Sequence, residues 1–205
     1  MKQSYERMIN PYPFKFEGGE AALWLQRIDE AINECKYIVD PDNDLATNEI
    51  IVALARTLCW ITRSPEPKTN YITPKSFLLF GNPGTGKTFL MEIFTGRFNG
   101  IQLIDTARID REIQDNKFGF WSWFRQWDDT HLVIDDIGAE TNIQTIRDTI
   151  THREKLWRKT GIQTIYTTNL KNRDELEAKY STRIKSRLLG QCNTIKLTGP
   201  DRRQT

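Results

Sequence analysis

The chain has 205 residues, a length prior of about 1.4 domains, so one domain plus an appendage is expected, with core enough to dispense with disulfides or metals. Hydrophobic residues at 38%, charged residues at 27% and a net charge of +2 are ordinary for a globular protein. No apolar run approaches the roughly 18 residues of a transmembrane helix, and residues 1–7 lack the apolar stretch of a secretory signal; the widely spaced Cys35, Cys59 and Cys192 argue against a zinc site or disulfide framework and for a reducing cytoplasm.

In chain order, residues 1–70 read as a small helical segment. Over 20–38, Leu23, Leu25, Ile28, Ile32 and Cys35 recur near a 3.6 period, and over 45–61 Ile50, Ile51, Leu54, Leu58 and Ile61 do the same. Residues 64–70 form a linker, because Pro65 and Pro67 break both helix and ladder. Residues 71–205 are expected to form the second unit, and from Ser76 the texture changes. Apolar runs at 76–80, 101–104, 131–134, 164–167 and 194–197 alternate with helical stretches at 87–97, 107–116, 143–158 and 173–188. Strands alternating with helices predict an α/β fold, a mostly parallel sheet with helices on both faces. The aromatic run at 118–127, which holds Trp121, Trp123 and Trp127, suits either stacked single-stranded nucleic acid or a core, and buried area favours the core. Residues 171–205 carry nine basic and four acidic side chains, leaving the rest of the chain at −3. Such a tail can meet phosphates or can simply be a solvated face.

Gly81-Asn82-Pro83-Gly84-Thr85-Gly86-Lys87-Thr88 matches the phosphate-binding pattern G-x-x-x-x-G-K-[ST] in full, between an apolar strand and a helix as that pattern requires. The glycines lack a Cβ, so backbone N–H groups can close on phosphates, and the helix N-terminus adds positive potential. Lys87 is expected to reach the β- and γ-phosphates of ATP and Thr88 to offer its hydroxyl to Mg2+. Leu132-Val133-Ile134-Asp135-Asp136 ends a buried strand in two carboxylates, which has a reason only if the strand tip opens on a site. Asp135 is then expected to hold Mg2+, and Asp136 to orient or deprotonate the attacking water. A third strand ends Thr167-Thr168-Asn169, and Asn169 can hydrogen-bond the γ-phosphate or that water.

In this order the three strand ends resemble those of the AAA+ ATPases. The closer resemblance is to the bacterial replicative-helicase loaders of the DnaC/DnaI type and their relative, the IstB-type transposition ATPase. It is carried by Ile134-Asp135-Asp136-Ile137-Gly138-Ala139-Glu140, by Thr167-Thr168-Asn169-Leu170, by Arg183-Ile184-Lys185-Ser186-Arg187-Leu188 and by Leu197-Thr198-Gly199-Pro200-Asp201-Arg202-Arg203, and it covers about residues 74–205. The resemblance implies that Asn169 is the sensor residue. It implies too that Arg183 and Arg187, four apart on one helix face, are the family's conserved arginine pair, with Arg187 the finger that reaches the γ-phosphate held by the next subunit. Hydrolysis would then depend on self-assembly.

The sequence departs from the family at Asp136, where most AAA+ proteins carry Glu. The chain stops about 35 residues after Asn169, too few for a C-terminal helical lid, and Arg202 is the remaining candidate for a second sensor. No Cys/His cluster precedes the ATPase core. The resemblance therefore implies an ATP-hydrolysing cytoplasmic protein, weak unless assembled, that loads a replicative DnaB-type helicase on single-stranded DNA, with residues 1–70 gripping the partner. Its DNA side would lie near Arg183 to Arg187 and on the helix after Thr106. Alternatives are an IstB-like regulator that assembles on double-stranded DNA with a transposase, a nucleotide-dependent binding module with little turnover, and a small-molecule kinase. The Asp135, Asp136, Asn169 and Arg183/Arg187 set argues against the kinase.

Overall fold

The computed structural model describes residues 75–97, 100–115, 119–197 and 201. The helices expected at 20–38 and 45–61, the linker at 64–70, Cys35, Cys59 and Arg202 lie outside the described residues. Strands β1 (Ser76–Gly81), β2 (Ile101–Asp105), β3 (His131–Ile137), β4 (Thr164–Thr168) and β5 (Cys192–Leu197) alternate with helices. These are α1 (Lys87–Arg97), α2 (Thr106–Asp115), α3 (Phe120–Arg125), α4 (Ile143–Thr160), α5 (Arg173–Tyr180) and α6 (Thr182–Gln191).

The strands form one parallel sheet in the order β2-β3-β4-β1-β5, flanked by helices as expected. Every residue of β1 is buried, as a central strand covered on both faces must be. Leu78, Phe80, Leu132, Ile134 and Tyr166 join Ile109, Phe124, Ile146, Ile150, Leu176 and Leu188 in the main core. Phe77, Leu79, Val133 and Ile165 alternate with them along the strands and are buried as well, so the opposite face is also packed. Two asparagines start helices. Asn142 accepts from Thr145 N–H ahead of α4, and Asn172 accepts from Asp174 and Glu175 N–H ahead of α5.

Several boundaries differ from those expected, and three of them have a clear physical reason. The stretch 173–188 is two helices, broken at Ser181, whose φ of 92° lies in the left-handed region. The break left no trace in the pattern, because Leu176, Tyr180, Ile184 and Leu188 keep a four-residue spacing across it and all four are buried. β3 runs on to Ile137 and β5 starts at Cys192, both because strand pairing extends beyond the apolar runs. In the aromatic segment, Phe120 and Phe124 are core residues with ring centroids 5.7 Å apart. Trp121, Trp123 and Trp127 are half-buried against them. Among the described residues no helix is long and apolar enough to cross a membrane.

Candidate functional site

The site forms where the C-terminal ends of β1, β4 and β3 lie side by side. The loop after β1 turns through Gly84 (φ 80°) and Gly86 (φ 94°), conformations that side chains resist, before α1 begins at Lys87. At Gly84 the need for glycine is doubled: an added Cβ would lie 1.9 Å from Asp201 Oδ1. The Thr85 hydroxyl donates to Asn82 O at 2.9 Å and steadies the turn.

Lys87 is 6% exposed. Its ammonium donates to Gly81 O at 2.7 Å, to Asn82 O at 2.9 Å and to Asn169 Oδ1 at 2.6 Å. Asn169, at the end of β4, turns its Nδ2 the other way and donates to Asp136 Oδ1. One amide thus joins the phosphate-loop lysine to a carboxylate on β3. Its orientation follows from charge, since oxygen faces the ammonium and nitrogen faces the carboxylate.

A regular strand sends successive side chains to opposite faces, so the adjacent Asp135 and Asp136 pose a problem for one site. The pairing of β3 with β4 solves it. Ile134 pairs with Tyr166 and Ile137 with Thr168, so three steps on β3 match two on β4. The extra residue is a bulge, and Asp136 within it has φ of 61°, a conformation aspartate tolerates better than most residues. Both carboxylates then reach the same end of the sheet. Asp135 is buried; its Oδ2 accepts from the Thr88 hydroxyl at 2.7 Å and its Oδ1 from the Thr167 hydroxyl. The Thr167 hydroxyl in turn accepts from Asp136 N–H at 2.9 Å, and the Thr106 hydroxyl donates to Asp136 O at 3.1 Å. The bulge is therefore pinned from β4 and from the start of α2.

Burial and the neighbouring Asp135 carboxylate push the Asp136 carboxyl above its ordinary range, against the pull of Lys87. Thr88 and Asp135 present hard oxygen donors already in contact, a set that suits Mg2+ completed by phosphate oxygens and water. Among the described residues no group of three or more His, Cys, Asp or Glu is placed to hold a metal without such help.

The structure thus brings together Gly81, Asn82, Gly84, Thr85, Gly86, Lys87, Thr88, Asp135, Asp136 and Asn169. Pro83 is exposed on the loop. Arg183 and Arg187 lie elsewhere, on α6. Arg183 is exposed, while Arg187 is paired with Glu154 of α4. Sequence reasoning missed Thr167, whose hydroxyl links the two aspartates. The polar tip of β4 was its only signal, and that signal pointed to Asn169. It also missed the tie behind the acid pair. The buried Glu140 accepts from Gly138 N–H and Tyr180 O–H, both at 2.7 Å, and Lys179 donates to Gly138 O.

No protein-family model matches the sequence, and no curated protein matches it at a significant level. Solved structures do share the fold. The DnaC helicase loader aligns with a TM-score of 0.57 at 17% identity, over 76% of this chain and 92% of that one. DnaI aligns at 0.59 and 19%, over 82% and 88%. The replication initiator DnaA bound to AMPPCP and single-stranded DNA aligns at 0.61 and 14%, over 80% of this chain and 49% of DnaA. The chain shares its fold, a parallel sheet flanked by helices, with these proteins, as the sequence resemblance implied.

Proposed function

We propose that the chain binds and hydrolyses ATP, assembles with copies of itself, and uses that cycle to load or remodel a replicative hexameric helicase on single-stranded DNA. The observation that carries the ATPase reading is the chain of contacts from Lys87 through Asn169 to Asp136, beside the Thr88–Asp135 pair. It supports a reading in which a phosphate-binding cation, an orienting amide and a basic carboxylate act on one phosphoryl group. The helicase and DNA reading is supported by the fold shared with DnaC, DnaI and DNA-bound DnaA.

In this reading the loop N–H groups and Lys87 bind the β- and γ-phosphates, exchanging the lysine's carbonyl partners for phosphate oxygens. Thr88 and Asp135 would hold Mg2+, which would offset the negative charge of the phosphates. Asn169 orients the attacking water and Asp136 accepts its proton. Burial and the neighbouring Asp135 raise the affinity of Asp136 for a proton, which favours its role as the acceptor. Arg187, with Arg183 one turn before it, meets the γ-phosphate bound by the adjacent subunit. The segment 1–70 grips the helicase, and α2 with α6 face DNA.

Two measurements test this. ATP affinity should be lost in Lys87→Ala; unchanged affinity there would sink the nucleotide reading. Capture of partners from the native host with Mg2+ and ATP should recover a replicative helicase. Recovery of a transposase instead would reassign the same catalytic residues to a transposition regulator.

A further inference from the structure

Arg187 does not stand free on α6. Its NH1 donates to Glu154 Oε2, and its side chain is 19% exposed. The Glu154 side chain is 7% exposed, and its other oxygen, Oε1, is taken by Arg158 through Nε at 2.8 Å and NH2 at 2.7 Å. One buried carboxylate therefore sits between two guanidinium groups and gives one oxygen to each. The trio keeps a net charge of +1, so pairing with Glu154 does not cancel the positive charge at this face. Arg187 spends a single donor on the contact; a guanidinium has five, fixed in one plane.

We propose that Glu154 is a positioning residue for Arg187: it anchors one edge of the guanidinium so that the remaining N–H donors are held toward the γ-phosphate bound by a neighbouring copy. The inference rests on the trans-acting role proposed above for Arg187. A long side chain held before assembly loses less freedom when the phosphate arrives, and pre-ordered donors act most strongly on charge that develops in the transition state. Arg183 is exposed and has no such anchor among the described residues, which separates the roles of the two arginines. Glu154 lies on α4, outside every motif the sequence offers.

Subunit mixing separates this from a mere packing contact between α4 and α6. Glu154→Gln should keep ATP affinity while turnover of the assembled protein falls about tenfold. Lys87→Ala, which binds no ATP but presents an intact Arg187, should restore turnover when mixed with Arg187→Ala, and also when mixed with Glu154→Gln. The double variant Lys87→Ala/Glu154→Gln should restore about a tenth as much to Arg187→Ala. Equal rescue by the single and double variants would overturn the role of Glu154 and leave the finger standing. Failure of Lys87→Ala to rescue Arg187→Ala would overturn the trans-acting role and the positioning role together. Glu154→Asp keeps the charge and shortens the reach. Should Glu154→Gln not fold, the double variant made with Asp must show the same loss of rescue, and full rescue by it refutes the proposal.

Discussion

Arg153 is fully buried, and among the described residues none of its hydrogen-bond partners is a carboxylate. Its Nε donates to Thr164 Oγ1 at 2.7 Å, NH1 to Trp127 O at 2.9 Å, and NH2 to Thr130 O at 2.9 Å and to Gln163 O at 3.2 Å. These acceptors flank the starts of β3 and β4, the two strands whose far ends carry Asp135, Asp136 and Asn169. Arg153→Met keeps most of the stem and removes the guanidinium. Summing four charge-assisted bonds would give a loss of roughly 6–12 kcal/mol. The structure argues for less. Trp127 O still accepts from Thr130 N–H, and Gln163 O from Leu132 N–H, so only two acceptors lose their donor, at roughly 1–3 kcal/mol each. The space left adds about 1–2 kcal/mol. Against this, burial pulls the guanidinium pKa down from its ordinary value to about 10, so removing the charge returns roughly 3 kcal/mol. The terms leave a net loss of about 0–5 kcal/mol, and its centre, roughly 2–3 kcal/mol, is read as a fall in Tm of about 4–12 °C by calorimetry for a chain of this size. An unchanged or raised Tm would show that the guanidinium does not tie the strands. A loss above about 6 kcal/mol would show that its bonds add independently, and the acceptor argument would fall.

Asp136→Asn should abolish turnover yet raise Tm at neutral pH, because the folded state holds this carboxyl against ionisation and the amide removes that cost; a lower Tm would contradict it. His131 accepts from Gln163 N–H through Nδ1 at 3.0 Å, which requires a neutral ring, and burial lowers its pKa from 6.5 to about 4. Between those values the unfolded chain takes up the proton first. Stability should fall by about 2 kcal/mol as pH drops from 6.5 to 4, after allowance for partial exposure, and urea titrations of His131→Gln should show that much less pH dependence. Gly138→Ala should destabilise the domain by about 1–2 kcal/mol or more in denaturant titrations, since φ there is 105° and the new methyl meets Leu170 at 3.1 Å; a neutral result would mean that the turn relaxes freely.

The phosphate loop, the acid strand end and the polar strand end were legible because each is a local pattern with its own chemistry. The parallel sheet was legible because buried strands read as continuous apolar runs. What stayed hidden depends on register. Nothing in Ile134-Asp135-Asp136-Ile137 announces a bulge, since the extra residue appears only when β3 is laid against β4. The break at Ser181 was masked by an unbroken four-residue spacing of buried side chains. Arg153 and Glu154 look like ordinary members of a polar helix; only the packing of α4 shows that both are buried and what each one holds.

The strand order carries a last consequence. β4 separates β1 from β3, so the phosphate loop and the acid pair stand two strand spacings apart, about 9.5 Å. Backbone hydrogen bonding sets that width as a ruler would, and no side-chain exchange at the site can reset it. A substitution there can change how far a group reaches across the gap, but not the gap itself. Chain added at the opposite edge, where β3 and β4 begin, leaves the measure untouched.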